Sequence, residues 1–471
     1  MHTTRLIAIA ALGISSLLTA RAAEPRRLPP PADRELAHDI LRELVDIDTT
    51  HQNGSTAAAQ LIRQQLLKAG FREDDVVLLA PPEHPTKGNV VVRYRGTGHG
   101  APVLYLGHLD VVQARGENWS SNPFQLIEKD GWFYGRGTLD MKGGDAALME
   151  SLLRLRREGF KPRRDIIAAF TADEEAGGDA NGVAFLLKDH RDRIGAGLVV
   201  NLDGGGGDLR DGKRRFFELG TSEKVYVTYT LEATSPGGHG SLPGPDNAIY
   251  RLADGLSRLA KFQFPVLTTA TTRATFRELA QLDSGPQRDD LLAVAQTVPD
   301  QAAAERLSKN VRLNAQLRTT CVATLISGGH AENALPQRAR ATVQCRMMPD
   351  DTQPNVAAML VRAIDDPLIS LTLDAPPIMS PESPPTKQLL DQLGRVVHSM
   401  WPGVPIVPIM SSGFSDGRQT RSAGMPTYEL SGLWHDMDDN RAHGRDERIE
   451  VQAFDESVEY TYRLMKAFAL R

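Results

Sequence analysis

The sequence predicts an α/β protein: a layered domain with a largely parallel sheet, carrying an inserted, smaller α/β two-layer sandwich. Three observations predict it. Apolar runs of strand length alternate with helix-period segments from residue 33 to about residue 202, the order that βαβ units with a parallel sheet require. His108, Glu174 and Asp203 fall just after such runs, at the carboxyl ends of strands where open α/β sheets gather function. Near Thr221 the pattern switches to period-two alternation, then to a strand–helix–strand–strand–helix–strand order that marks a second unit.

The first residues, MHTTRLIAIAALGISSLLTARAAEP, combine Arg5 with an apolar stretch from Leu6 to Leu18 and the small-x-small site Ala20-Arg21-Ala22. They read as a secretory signal peptide over residues 1–22, because the apolar stretch falls short of the ~20 residues of a membrane span. Residues 23–32 read as a proline-stiffened leader. From Asp33, the residues Leu36, Ile40, Leu41, Leu44 and Val45 recur at helical spacing, and a second helix spans 56–69 and stops at Gly70. Strands are predicted at 76–79, 89–95, 103–106, 166–171 and 198–202, with helices at 144–158 and 181–190. These make the first part, 33–220, of the main domain. Strands at 224–233, 319–327, 339–347 and 369–373, with helices from Ala248 and at 353–364, make an inserted domain over 221–378. Within it, 265–320 is polar, alanine-rich and predicted helical. The proline-rich PPIMSPESPP leads back to the main domain, 379–471, which ends on a helix over 451–470.

A chain of 471 residues, 41% hydrophobic and 24% charged, is long enough for two domains with cores of their own. The net charge of −5 comes without any Lys/Arg block, which argues against nucleic acid as a partner. No segment after the leader is apolar enough to span a membrane, so the mature protein is expected to be exported, periplasmic or secreted, and free of the membrane. Cys321 and Cys345 fit two readings, one disulfide in an oxidising compartment or two buried thiols.

The chemistry gathers in a few stretches. His108 and Asp110 in GHLDVV stand two apart at a strand end, so an extended backbone puts them on one face. Asp140 sits inside the glycine-rich turn GRGTLDMKGG, which opens onto a helix. Glu174 and Glu175 lie in TADEE, and Asp203 follows the next strand in NLDGG. The glycine run 204–207 lacks the Lys-Ser/Thr of a phosphate loop and is flanked by Asp203 and Asp208, which repel phosphate. His443 comes late, in RAHGRDE, with His435 as a rival. Histidine and carboxylates at strand ends are the donor set of a divalent metal site.

GHLDVV, YGRGTLDMKGG, TADEEAGG, NLDGG, GGHGSLPGPDNAI and AHGRDERI, in this order, resemble the co-catalytic dizinc hydrolases. That family includes aminoacylase, carboxypeptidase G, carboxypeptidase S, acetylornithine deacetylase and succinyl-diaminopimelate desuccinylase. The resemblance runs from about Glu35 to the C-terminus. It implies a zinc-peptidase catalytic domain and an inserted lid or dimerisation domain, with a homodimer formed through the latter. It implies two Zn2+: His108 and Asp203 on one, Glu175 and His443 on the other, Asp140 bridging. The ligand types equally permit Co2+ or Mn2+. Glu174 is implied as general base towards a hydroxide held by the metals, and Asp110 as the hydrogen-bond partner that fixes the His108 tautomer. A cis peptide at Asp140–Met141 is implied too. His443 fits the family better than His435 through its H-x-x-x-E context. In the inserted domain, His239 matches the histidine that stabilises the tetrahedral oxyanion, reaching across from the partner subunit in dimeric members. Arg346, in an Arg-x-x-Pro, and Asn333, in an Asn-x-x-Pro, match substrate-binding positions, and an arginine can grip a free carboxylate bidentately. Ser415 and Asp416, in GFSDGRQ, and Gly432 fall where the family contacts substrate. The implied activity is hydrolysis of short peptides, of dipeptidase or carboxypeptidase type. The alternatives are an N-acyl-amino-acid deacylase, an aminopeptidase, or a catalytically idle peptide- or metal-binding protein. Stretch 265–320 is longer than compact members need and would enlarge the lid.

Overall fold

A computed structural model describes residues 27–470 except Gly177, Asp179 and Met437. The predicted signal peptide and the first four residues of the leader lie outside these residues. Along the chain the first strands are β1 (Val76–Leu79), β2 (Asn89–Tyr94), β3 (Val103–His108), β4 (Ile127–Lys129), β5 (Trp132–Tyr134), β6 (Ile166–Thr171) and β7 (Leu198–Asn201). Then come β8 (Gly206–Arg210), β9 (Lys213–Glu223), β10 (Val225–Thr234), β11 (Gly238–His239), β12 (Thr320–Gly328), β13 (Ala334–Leu335) and β14 (Arg338–Met347). The last are β15 (Ile369–Leu373), β16 (Ile406–Ser411), β17 (Thr427–Glu429), β18 (Trp434–Asp436) and β19 (Arg448–Glu450).

The large sheet has ten strands in the order β1-β2-β6-β3-β7-β17-β9-β8-β18, with β16 also paired to β9. Its centre, β6, β3, β7 and β17, is parallel. Every residue of β3 and β6 is buried, which is why these strands read as unbroken apolar runs rather than alternating ones. Helices cover both faces. On one, Pro31–Val45 packs on Lys142–Arg157, which packs on the C-terminal Val451–Ala469. The first of these starts on Pro31, where a missing N–H costs nothing, and buries Ala37, Ile40, Leu41, Leu44 and Val45 along one stripe. On the other face, helix Gly182–Asp189 buries Val183 and Leu186 against Leu104, Leu106 and Ile167. No helix among the described residues is long and apolar enough to cross a membrane.

The second sheet, β12-β14-β10-β15, is antiparallel and carries helices Ala248–Lys261 and Gln353–Ile364 over a core of its own. Cys321 and Cys345 face each other in register across β12 and β14 and are joined as a disulfide. Stretch 265–320 is helical, as Ala270–Leu282, Pro286–Val294, Gln301–Leu307 and Val311–Leu317, with a small core around Phe276, Leu291 and Leu307. It docks on β16 of the large sheet, where Thr275 Oγ1 donates to Pro408 O (2.5 Å) and Gln316 Nε2 to Met410 O (2.8 Å). The reason is a strand edge: β16 pairs with β9 alone, and a helix laid along it shields the open side.

Glu223 closes β9 where the chain leaves for the second sheet. Its fully buried carboxylate accepts from Ser380 Oγ on the returning passage (2.9 Å), from the Ser415 N–H (2.9 Å) and from Arg421 Nη1 (2.8 Å). Lys224, equally buried, donates from Nζ to Arg318 O (2.6 Å), where the helical segment hands over to β12.

Candidate metal centre and active site

Because β6, β3 and β7 are adjacent and parallel, their carboxyl ends deliver His108, Asp173–Glu175 and Asp203 side by side. His108 is the last residue of β3 and is 2% exposed. Its Nε2 lies 3.2 Å from Asp140 Oδ1 and 3.6 Å from Asp203 Oδ1. His443 Nε2 lies 3.1 Å from Asp140 Oδ2 and 3.0 Å from Glu175 Oε1. Asp140 therefore offers one oxygen to each imidazole. Ligand atoms of His108, Glu174 and Asp203 lie within 4.8 Å of one another, as do those of His108, Asp140 and Glu175. Glu174 thus stands among the ligand-type groups as well as next to Glu175. The Asp140–Met141 peptide is cis.

The donor set suits divalent cations. Carboxylates packed this closely repel one another unless positive charge stands between them. Glu174 Oε1 is buried without any hydrogen-bond partner, so it is left to serve something other than the protein. The electrostatics agree. Burial would lower the His108 imidazole, yet Asp140 and Asp203 hold it well above its ordinary value. Hydrogen bonds to Asp140 and Glu175 lift His443 to about 10. Burial, followed by the charge of Asp203, pushes Glu174 well above the carboxylate range.

Asp110 is placed differently from expectation. The His108 Nδ1 is bonded by the backbone carbonyl of Asp110 (3.0 Å), while the nearer carboxylate oxygen stands 3.8 Å off. The carboxylate is engaged elsewhere, accepting from the N–H groups of Glu174 (3.1 Å) and Glu175 (3.0 Å). Asp110 therefore fixes the tautomer with its main chain and the acidic turn with its side chain. His435 lies on β18, paired with β8, and burial lowers its pKa; among the described residues no hydrogen bond or ion pair joins it to the other site residues.

Several supporting residues escaped the sequence reading. Glu447 accepts from the N–H groups of Leu139 (2.8 Å) and Asp140 (3.0 Å) and pairs with buried Arg136 (2.6 Å), which fixes the turn bearing Asp140. Lys87 Nζ and His51 Nδ1 hold Asp173 Oδ1 at 2.5 and 2.7 Å, bracing the residue before Glu174. Asp416, which the resemblance places among the substrate contacts, is buried and accepts from Thr171 Oγ1 (2.8 Å) and Asn181 Nδ2 (2.7 Å), tying down the end of β6. The H-x-x-x-E spacing was the one available signal, and it pointed to Glu447.

His239 and Asn333 come together. β11 pairs with β13, and the Gly240 N–H donates to Asn333 O (2.7 Å). The Ser241 N–H donates to His239 Nδ1 (3.2 Å), which leaves Nε2 as the protonated, outward nitrogen of the neutral ring. Both residues are exposed. Arg346 lies on β14 with its guanidinium against Tyr226 and Phe414 (4.8 and 5.1 Å), and its Nη1 is buried without a hydrogen-bond partner. Among the described residues no hydrogen bond or ion pair joins His239, Asn333 or Arg346 to the metal-type cluster. Ser415 is buried, its hydroxyl committed to Glu429 (3.0 Å) and Glu223 (3.3 Å). Gly432 is a site of close approach: a Cβ there would stand 2.5 Å from the Tyr460 ring.

The family model described as peptidase family M20/M25/M40 matches residues 104–467. The N-fatty-acyl-amino acid synthase/hydrolase PM20D1 of Homo sapiens is 29% identical over 375 residues, 78% of this chain and 74% of its own. The probable carboxypeptidase S-like 2 of Dictyostelium discoideum is 29% identical over 377 residues, 78% of this chain and 71% of its own. An M20 family metallo-carboxypeptidase from Sulfolobus solfataricus shares the fold, with a TM-score of 0.68 at 16% identity over 92% of this chain and 99% of that one.

Proposed function

The chain belongs to the peptidase family M20/M25/M40, a family of metal-dependent hydrolases, and from that premise we propose that it cleaves the amide bond of short peptides or N-acyl amino acids. The observation that carries this reading is the convergence of His108, Asp140, Glu175, Asp203 and His443 beside Glu174, whose Oε1 has no hydrogen-bond partner. His108 and Asp203 would hold one divalent cation, most simply zinc, Glu175 and His443 a second, and Asp140 both. Bound there, such cations supply the Lewis acidity that polarises an amide carbonyl and brings a water's pKa towards neutrality.

The chain's own groups do the rest. Glu174 takes the proton of the attacking water on its carboxylate and passes it to the leaving amine. Asp110 keeps that carboxylate aimed through the two backbone bonds it accepts. His239, with Nε2–H outward, donates to the oxyanion, and Arg346, with its unpaired Nη1, receives the carboxylate of the amine half beside Asn333. The substrate is therefore of carboxypeptidase or dipeptidase type, and N-acyl amino acids present the same amide and carboxylate. The similarity to an N-fatty-acyl-amino acid hydrolase favours keeping that second reading. Export is supported by the apolar stretch behind Arg5, the Ala20-Arg21-Ala22 site and the disulfide, which suits an oxidising compartment. An N-terminus at Ala23 in the exported protein would verify it.

The test is turnover by the zinc-loaded protein on dipeptides, longer peptides and N-acyl amino acids, each also offered as its C-terminal amide. Cleavage of the free acids alone is expected. Equal cleavage of the amides would remove the Arg346 clamp and move the protein towards aminopeptidases. Glu174→Gln should lose about 10²–10⁴-fold in kcat while elemental analysis still finds its metal. Full activity in that variant would end the general-base assignment.

A further inference from the structure

Asp140 and Asp203 open onto a cavity of about 540 Å³, a size typical of small-molecule sites. Its lining also takes in the helical segment 270–317. Leu279, Leu291 and Leu313 come from three of that segment's helices and line it together with Phe216 of β9 and Met410 of β16. The lining is graded. Leu291, Phe216 and Met410 are at most 5% exposed, whereas the polar Gln287 and Arg312 are exposed. Charged groups share the wall: Asp208 is paired with Arg215 (3.9 Å) and Glu429 with Arg421 (3.6 Å), Asp283 is half-buried, and burial followed by Asp208 pushes the Glu218 carboxyl up to about 7. His239, Asn333 and Arg346 do not line this cavity. With the carboxylate-bearing half of the substrate assigned to Arg346, the cavity is left for the carbonyl half.

We propose that segment 270–317 builds a subsite for the carbonyl half of the substrate, selective for an extended apolar group, with Leu279, Leu291 and Leu313 as specificity-determining residues. The proposal rests on the amide-hydrolase reading. The apolar group has two sources, the acyl chain of an N-acyl amino acid or the side chain of a peptide's penultimate residue. Full transfer of a methylene from water into such a wall favours binding by about fourfold.

The experiment uses the full zinc-loaded chain and substrates sharing a phenylalanine half: N-acetyl-, N-hexanoyl- and N-decanoyl-phenylalanine, Gly-Phe and Leu-Phe. Calorimetry with acetate, hexanoate and decanoate reads the subsite without turnover. At least a tenfold rise in kcat/KM from acetyl to hexanoyl is expected, with carboxylate affinity rising in parallel. A rise along the acyl series that exceeds the Gly-Phe to Leu-Phe step identifies the acyl chain as the natural occupant; the reverse identifies a side chain. Leu313→Trp and, separately, Leu279→Trp should each cut the decanoyl-to-acetyl ratio at least tenfold. A flat wild-type series in both measurements overturns the subsite whatever the variants do. N-acetyl-phenylalanine turnover alongside that flat series leaves the hydrolase reading standing. Chain-length-dependent binding without turnover of any amide supports the subsite and sinks the hydrolase reading instead.

Discussion

Glu174 is aimed by its neighbours, and each of them can be removed singly. Asp173 is 1% exposed with φ at +60°, a conformation few non-glycine residues adopt, and Lys87 neutralises its carboxylate. Lys87→Met strands that charge, since His51 is largely exposed and only partly replaces the amine. Breaking a buried pair from one side costs about 3–5 kcal/mol. Thermal unfolding should register that loss, and kcat should fall with little change in KM, because the base turn moves while Arg346 does not. A variant with unaltered unfolding and kcat would show that the pair braces nothing. His108, Glu175 and Asp203 were legible in the sequence because they end or follow strands of a parallel sheet, Asp140 and His443 through the stretches GRGTLDMKGG and AHGRDERI. Lys87 was not, because its partner lies 86 residues away and PTKGNV has no pattern to connect them.

Helix Lys142–Arg157 carries a pH dependence of its own. Glu150 is wholly buried, and neither of its carboxyl oxygens has a hydrogen-bond partner. Burial, then the charge of Asp33, raises its pKa from 4.5 to about 8. The folded protein therefore keeps a proton that the unfolded chain releases above pH 4.5. The carboxyl is harmless below that pH, costs stability increasingly as the pH climbs to 8, and costs its full penalty above. Glu150→Gln should match the wild type at pH 5 and gain roughly 1–3 kcal/mol at pH 8.5, read by denaturant unfolding at both. An equal effect at both pH values would contradict this. Among elements, the buried central strands and the helices were legible from unbroken apolar runs and stripes. The hairpin β8–β9 was not. Its glycine run, glycines 204–207, reads as a loop, and only pairing with distant β17 and β18 turns it into sheet.

The whole molecule should depend on its cations for stability as well as turnover. A chelator leaves the clustered carboxylates facing one another, so apparent melting should drop and activity vanish, both returning with zinc. Activity that persists after elemental analysis finds no metal would refute the site. The second sheet ends on β12, where Val322, Leu325 and Ile326 are 57%, 69% and 66% exposed along an unpaired strand edge. Such an edge invites a second copy. Light scattering should find a dimer that Leu325→Lys converts to monomer, and a monomeric wild type would retire the partner role of His239. The carboxylate of Glu223 has a mechanical consequence. It fastens both the outgoing and the returning passage between the sheets, so they share one fulcrum. Loosening one passage should therefore loosen the other, and Glu223→Gln should quicken hydrogen exchange at both together; quickening at one passage alone would show that the carboxylate does not couple them.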